Sequence, residues 1–152
     1  MPLTNLNGII AKIKEVLLAV TGVGTKVYDY ERWAADWSSF LALFKSDSLI
    51  KGFEITRNKT LEETQASRTN YRTHSIIIRM YYSLDDTAAS EKAARDIEEN
   101  IAEAFRNKNT LDGNCIECSP LQIDISENRM FGSVLCHYRE MRLEVTEEIQ
   151  YT

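Results

Sequence analysis

The chain has 152 residues, a formal net charge of −5 and three cysteines. That length suits one domain, residues 1–152, burying about two thirds of its unfolded surface around one core without help from disulfides. The acidic, interspersed charge argues against a face that grips duplex nucleic acid, and an odd number of cysteines without an export signal fits reduced thiols in a cytosolic compartment.

Met1–Asn5 carries no basic stretch followed by an apolar one, and no apolar run approaches the roughly 20 residues a bilayer needs, so neither secretion nor membrane insertion is expected. Thr4 or Asn5 can cap a first helix whose Leu6, Ile9, Ile10, Ile13, Val16, Leu17 and Val20 repeat at i, i+3, i+4, i+7 spacing, with Gly22 as its stop. Lys12, Lys14 and Glu15 on the other side make it half-buried. Val27-Tyr28-Asp29-Tyr30 follows as a short edge strand of aromatic and β-branched residues. Trp33, Trp37, Phe40, Leu41 and Phe44 then form one stripe of a short helix, read as a lid on the core rather than as an aromatic docking face or the roof of a ligand pocket. Ser46-Asp47-Ser48 interrupts, and Leu49–Arg57 reads as a strand in which Phe53 and Ile55 alternate with Glu54 and Thr56.

Arg57–Asn70 is polar, with Leu61 as its single large apolar residue. Between two strands it is expected to be a long irregular hairpin loop, or an arm that orders only against another subunit. Asn58-Lys59-Thr60 matches a glycosylation sequon that has no meaning without export. Ser75–Leu84 is the central strand, with Ile76, Ile78, Met80, Tyr82 and Leu84 on one side at period two. Asp85-Asp86-Thr87 starts a long helix that buries Ala93, Ala94, Ile97, Ile101, Ala104 and Phe105. Its other side, Glu91, Lys92, Arg95, Glu98, Glu99 and Glu103, is expected to be solvated, with Glu91 paired to Arg95.

Asp112-Gly113-Asn114 is a turn, Cys115–Cys118 and Leu121–Ile125 are strand segments broken at Pro120, and Ser126–Gly132 makes a second hairpin. The last strand runs from Val134 to about Val145. Val134, Cys136 and Tyr138 share one parity and Met141, Leu143 and Val145 the other, which predicts a bulge near Arg139-Glu140. The fold expected is α+β: a mixed, mostly antiparallel sheet covered on one face by two main helices, in the order α-β-(short α)-β-β-α-β-β, with a long polar hairpin arm.

Chemistry is sparse. Cys115-x-x-Cys118 has metal-ligand spacing and Cys136-His137 could complete four ligands, so a small zinc- or thiol-dependent cytosolic protein using Cys115, Cys118 and Cys136 is the alternative from another functional class. Against it, residues three apart on a strand point to opposite faces. His74 and His137 sit in strands with no nucleophile motif nearby, and Gly22-Val23-Gly24 follows a helix, where a phosphate loop would follow a strand. No catalytic constellation emerges.

The run Leu49–Arg57, the aromatic Trp33–Phe44 segment before it, and Tyr81-Tyr82-Ser83-Leu84-Asp85-Asp86 opening a helix resemble the small tail-terminator and head-tail joining proteins of tailed bacteriophages. The resemblance covers most of the chain. It implies an α/β sandwich assembled as a ring, usually a hexamer, that caps the tail tube and meets the neck: a structural, non-enzymatic virion protein without cofactors, assembled in the host cytoplasm. Tube and neck proteins are its implied partners, with DNA passing through the lumen unrecognised. A different connector or head-closure role is the near alternative. In that frame Arg57, Lys59, Glu62, Glu63 and Arg68 are the candidate subunit-interface residues, since the arm's opposed charges suit a contact between copies.

Overall fold

The computed structural model describes residues 5–32, 34, 36–46, 49–131 and 134–152, the side chains of Trp37 and Ser46 excepted. Cap residue Thr4, Trp33 of the aromatic stripe, the break at Asp47-Ser48 and the turn at Gly132 therefore lie outside the described residues. Among those described, three helices and a seven-stranded sheet form the α+β architecture: α1 (Leu6–Leu18), β1 (Val27–Tyr28), α2 (Trp37–Phe44), β2 (Lys45–Ser46), β3 (Leu49–Ala66), β4 (Thr69–Ser83), α3 (Ser90–Arg106), β5 (Glu117–Cys118), β6 (Gln122–Phe131) and β7 (Val134–Gln150).

The first helix begins where the Asn5 side chain accepts the Gly8 amide hydrogen at 2.8 Å, satisfying a donor that the helix itself leaves free. Its apolar stripe, Ile9, Ile10, Ile13, Val16 and Leu17, is buried. Gly22, at φ +94°, then turns the chain through a left-handed conformation that a side chain would strain, and so delivers Val27 beside Phe53 in the sheet's one parallel pairing.

The sheet runs β1-β3-β4-β7-β5, with β2 also on β3 and β6 also on β7. On one face Phe53, Ile55, Ile76, Ile78, Met80, Met141, Leu143 and Val145 form the main core with the stripes of α1 and α3. This is the predicted cover of one face by two helices. The start of α3 differs from expectation. Asp85–Ala89 is a turn, with the Ala88 amide on Asp85 Oδ1 at 3.2 Å and Ala89 left-handed at φ +53°, so the first helical residue is Ser90. The expected Glu91–Arg95 pair is not among the ion pairs of the described residues, and Glu98, expected in solvent, is buried at 5 % exposure.

The opposite face has a core of its own. Phe40 and Phe44 of α2 pack with Ile50, Tyr81, Cys136 and Tyr138, the Phe40 and Phe131 rings stacking at 5.2 Å. Phe40 and Phe44, with Leu41 packed against them, thus form the expected lid, while Trp33 and the Trp37 side chain lie outside the described residues. This second core also corrects the expected bulge. From Ser83↔Cys136 to Thr69↔Gln150, β4 and β7 pair in unbroken register. Both parities of β7 are buried because each face has something to cover it. The irregularity lies in the partner strand β6, between Ile123 and Ile125. Ser126–Phe131 is strand rather than turn, and only Glu117–Cys118 of the Cys115 segment pairs.

The largest departure concerns Arg57–Asn70, which is neither an irregular loop nor a segment awaiting a neighbour. β3 continues to Ala66, turns at Ser67-Arg68 with Arg68 at φ +59°, and returns as β4. The C-terminal half of β7 pairs β4 along its whole length, so the arm is a three-stranded extension whose middle strand is bonded on both sides within its own chain. Backbone pairing, not apolar burial, orders it.

Gly52 ties the two layers together: a Cβ there would run into the Phe44 ring, which is 2 % exposed inside the aromatic cluster. Gly52→Ala is expected to destabilise the fold by about 1–3 kcal/mol in urea unfolding, with loss of near-ultraviolet aromatic signal before the helical signal.

Candidate functional site

The interface residues suggested by sequence all fall on the arm and all five are exposed, but the fold ties three of them, Arg57, Glu62 and Arg68, to their own chain. Lys59 and Glu63 are exposed on β3. Arg57 and Glu62 are engaged within the chain: Arg57 Nη1 donates to Thr60 Oγ1 at 2.9 Å, and Glu62 accepts from Asn70 Nδ2 at 2.7 Å and pairs with Arg72 Nε at 3.2 Å. Arg68 forms the turn, and its carbonyl takes the Tyr151 amide at 3.0 Å. β1 and β2 pair β3 only at Phe53-Glu54 and Leu49-Ile50, so the outer edge of Arg57–Ala66 carries no strand among the described residues.

Beneath these residues lies a polar cluster that sequence reasoning missed. His74 is wholly buried, its Nδ1 2.7 Å from Thr60 Oγ1 and its Nε2 3.4 Å from Glu147 Oε2. Glu147, 2 % exposed, also meets Arg72 Nη1 at 3.4 Å. Burial lowers the His74 pKa, Glu147 opposes that, and the guanidiniums of Arg72 and Arg57 reinforce it. The signal was present: Arg72 and His74 continue the parity of Ile76, Ile78 and Met80, so they must point to the core side where the helices no longer cover it.

His137 forms a second joint. Its Nε2 lies 2.8 Å from Ser90 Oγ, the first residue of α3, and its Nδ1 2.9 Å from Asn128 Oδ1 on β6. The spacing has the form of a nucleophile, base and orienting group. Ser90 is 5 % exposed, and its oxygen already accepts the Asp85 amide at 2.8 Å, so the hydroxyl is a structural tie. With Asn128 taking the Nδ1 proton, neutral His137 accepts from Ser90 and fixes the helix start to the sheet. Burial, then Arg139, lowers its pKa.

Next to it, Arg139 of β7 reaches Glu98 of α3, Nε to Oε1 at 2.6 Å, and donates through Nη1 to the Glu127 and Tyr138 carbonyls at 3.1 Å. Burial raises the Glu98 carboxyl while Arg139 pulls it down. The pair is a buried clamp between helix and sheet.

The thiols do not converge. Cys118 belongs to the main core and Cys136 to the aromatic core on the opposite face of the sheet. Burial pushes Cys118 up to about 12 and Cys115 up to about 11, and raises Cys136, which keeps all three protonated at neutral pH. Four-ligand closure by Cys115, Cys118, Cys136 and His137 is not what this arrangement offers. An open groove of about 480 Å³ between α1 and α3 is lined by Val16, Val20 and Ala104 and by Lys12 and Lys108, which both pair with Asp112. No helix among the described residues is long and apolar enough to cross a membrane. No known family model matches this chain, nor does any curated protein match it in sequence.

Removing one partner of the clamp leaves a buried charge, so Arg139→Ala is expected to cost about 3–5 kcal/mol in urea unfolding, whereas the double change Arg139→Met with Glu98→Leu should stay within about 1–2 kcal/mol of the parent. The histidines set a pH dependence. Each has its pKa lowered by folding, so the unfolded chain binds more protons between the folded value and the ordinary value of about 6.5. Their contribution is present above that value and lost as the pH falls through it. Urea midpoints should drop from about pH 7 to about pH 5, and His137→Gln should reduce the drop.

Proposed function

We propose that this protein is a structural subunit of a tailed-bacteriophage virion, a tail terminator that assembles as a ring, caps the tail tube and joins it to the neck. The observation that carries the reading is the three-stranded arm: it runs past the apolar core, which ends at Ile55, Ile76 and Val145, and leaves the edge Arg57–Ala66 open with Lys59 and Glu63 exposed beside it. The α+β sheet under two helices supports it as well, since that is the architecture the sequence resemblance implies.

An arm held by its own chain suits ring assembly better than a disordered one. Its ordering entropy is met during folding, so a neighbour that docks on it loses less on association. Rings arise when one surface patch meets a different patch on the next copy and the rotation closes, here as a hexamer. In such a ring one rim repeats the stacking contacts of the tube and the other does not, so polymerisation stops when it binds, and the second rim meets the connector. The acidic balance suits a lumen through which DNA passes without sticking, with no sequence recognition and no cofactor or chemistry required. The virion tail and neck are the site of action, and the host cytoplasm the site of assembly. Another head-tail connector or head-closure role uses the same ring.

Electron microscopy and light scattering of the purified protein, alone and with tail tubes, test this. Ring-shaped oligomers with the arm protected from protease are expected, and Lys59→Glu with Glu63→Lys should shift the population toward monomer without lowering the urea midpoint by more than about 0.5 kcal/mol equivalent. A chain that stays monomeric at all concentrations and never joins a tube end would overturn the reading.

A further inference from the structure

We infer that the cluster around His74 is a proton-sensitive joint at the root of the arm, which holds the arm rigid while His74 is neutral and loosens it when His74 takes up a proton. The geometry fixes the neutral arrangement. The Glu147 carboxylate facing Nε2 favours the ring proton there, which leaves Nδ1 to accept from the Thr60 hydroxyl, while Thr60 Oγ1 accepts from Arg57 Nη1. One chain of polar contacts therefore crosses all three strands of the arm, from Arg57 and Thr60 on β3 through His74 on β4 to Glu147 on β7, the last of them a 3.4 Å approach without a hydrogen bond. Arg72 and Glu62 continue it back to β3.

The charges that act on this ring are Glu147 from β7, Arg72 from its own strand and Arg57 from β3, with Glu62 of β3 paired to Arg72 and the neutral Cys115 thiol on the Glu147 side. Two cations and two anions balance. A proton on His74 leaves one net positive charge on a ring with no solvent exposure, and it also sets an Nδ1–H against the hydroxyl hydrogen that Thr60 was donating. Glu147 favours the charged ring but is shared with Arg72, and burial outweighs it. The Thr60 hydroxyl has to turn and accept from Nδ1–H, and the charged ring gains water by opening on the Thr60 side. That is the side holding β3, the outer strand of the arm, which has no other strand beyond it among the described residues. β4 and β7 keep their own pairing there from His74↔Val145 to Thr69↔Gln150. Loosening is thus directed at Arg57–Ala66, just past the bulge between Arg57 and Lys59 where the β3–β4 ladder is already interrupted.

Amide hydrogen exchange of the full chain at about pH 7.5 and about pH 5, read as protection factors, tests the joint, with light scattering at both values to separate loss of assembly from loosening of the arm. Protection over Arg57–Ala66 should fall about tenfold on acidification while that of Ile97–Phe105 holds. His74→Gln, which keeps an uncharged donor toward Glu147, should abolish the difference, and His137→Gln should leave it in place. In the unaltered protein the His74 Cε1–H resonance should titrate in step with the arm amides, a readout that needs no variant. Arm protection that ignores pH, an equal loss throughout the chain, or His74 titrating with the arm amides unmoved would each overturn the joint.

Discussion

A strand buried on both faces has to carry two sets of core side chains of opposite parity, and it can do so only if its neighbours hold it in one register from end to end. β7 is such a strand. Cys136 and Tyr138 fill the aromatic core under α2, while Met141, Leu143 and Val145 fill the main core under α1 and α3. A slip of one residue against β4 would exchange the two sets and place Arg139 and His137 among the aromatic rings. The unbroken β4–β7 ladder is therefore the constraint on which both layers depend. It also explains why the irregularities of this sheet lie in β6 and in the outer part of β3, which flank the pair and carry less of either core.

Where apolar cover stops, polar groups are buried and each is tied to a second element. At one end His137 joins the start of α3 to β6, and Arg139 clamps Glu98 of the same helix to β7. On the aromatic side Glu54, 2 % exposed, accepts the Tyr81 hydroxyl at 2.6 Å and the Arg32 amide at 2.7 Å, which anchors the segment leading to α2. At the root of the arm His74 and Glu147 take over from Ile76 and Val145. Each group would be costly alone and meets its partners in only one arrangement of elements, with His74 Nε2 and Glu147 Oε2 left facing each other without a hydrogen bond, so these sites contribute specificity of packing more than net stability.

Period and parity made most of the elements legible: the Ile9–Leu17 stripe, the alternation of Phe53 and Ile55, the run Ile76–Met80 and the aromatic lid at Phe40 and Phe44 all lie where spacing put them. What spacing could not supply was the number of covered faces. With one core assumed, the parity change along Val134–Val145 demanded a bulge. With two, it is what a regular strand shows. The arm was misread for a related reason. Polar composition in Arg57–Asn70 says that little apolar surface is buried, but a strand is ordered by ladder bonds too: Arg57–Ala66 pairs the adjacent Thr69–Ile76, and that strand is bonded in turn by the distant end of β7. Glu98 was lost for lack of its partner, since nothing local marks Arg139 as the residue that follows it into the interior. Of the candidate site, the exposed charges were readable and the buried relay beneath them was not, although the parity of Arg72 and His74 pointed inward.

An open strand edge invites any extended chain, and this one carries devices against indiscriminate pairing. Register shifts between Arg57 and Lys59 and between Thr64 and Ala66 kink the ladder, and Lys59, Glu62 and Glu63 crowd charge along it. Such an edge cannot be matched by backbone alone. In the ring proposed above a partner has to follow the bends and oppose the charges, a demand that a copy of the same chain, presenting a fixed surface at a fixed angle, meets better than a flexible peptide. Specificity of that kind requires the arm to keep its shape before contact, and its shape depends on three strands joined through buried polar side chains rather than through a hydrophobic floor. Rigidity at the root and selectivity at the edge are thus two consequences of one choice of residues, polar groups where the helices end, and a change that softens the first must weaken the second.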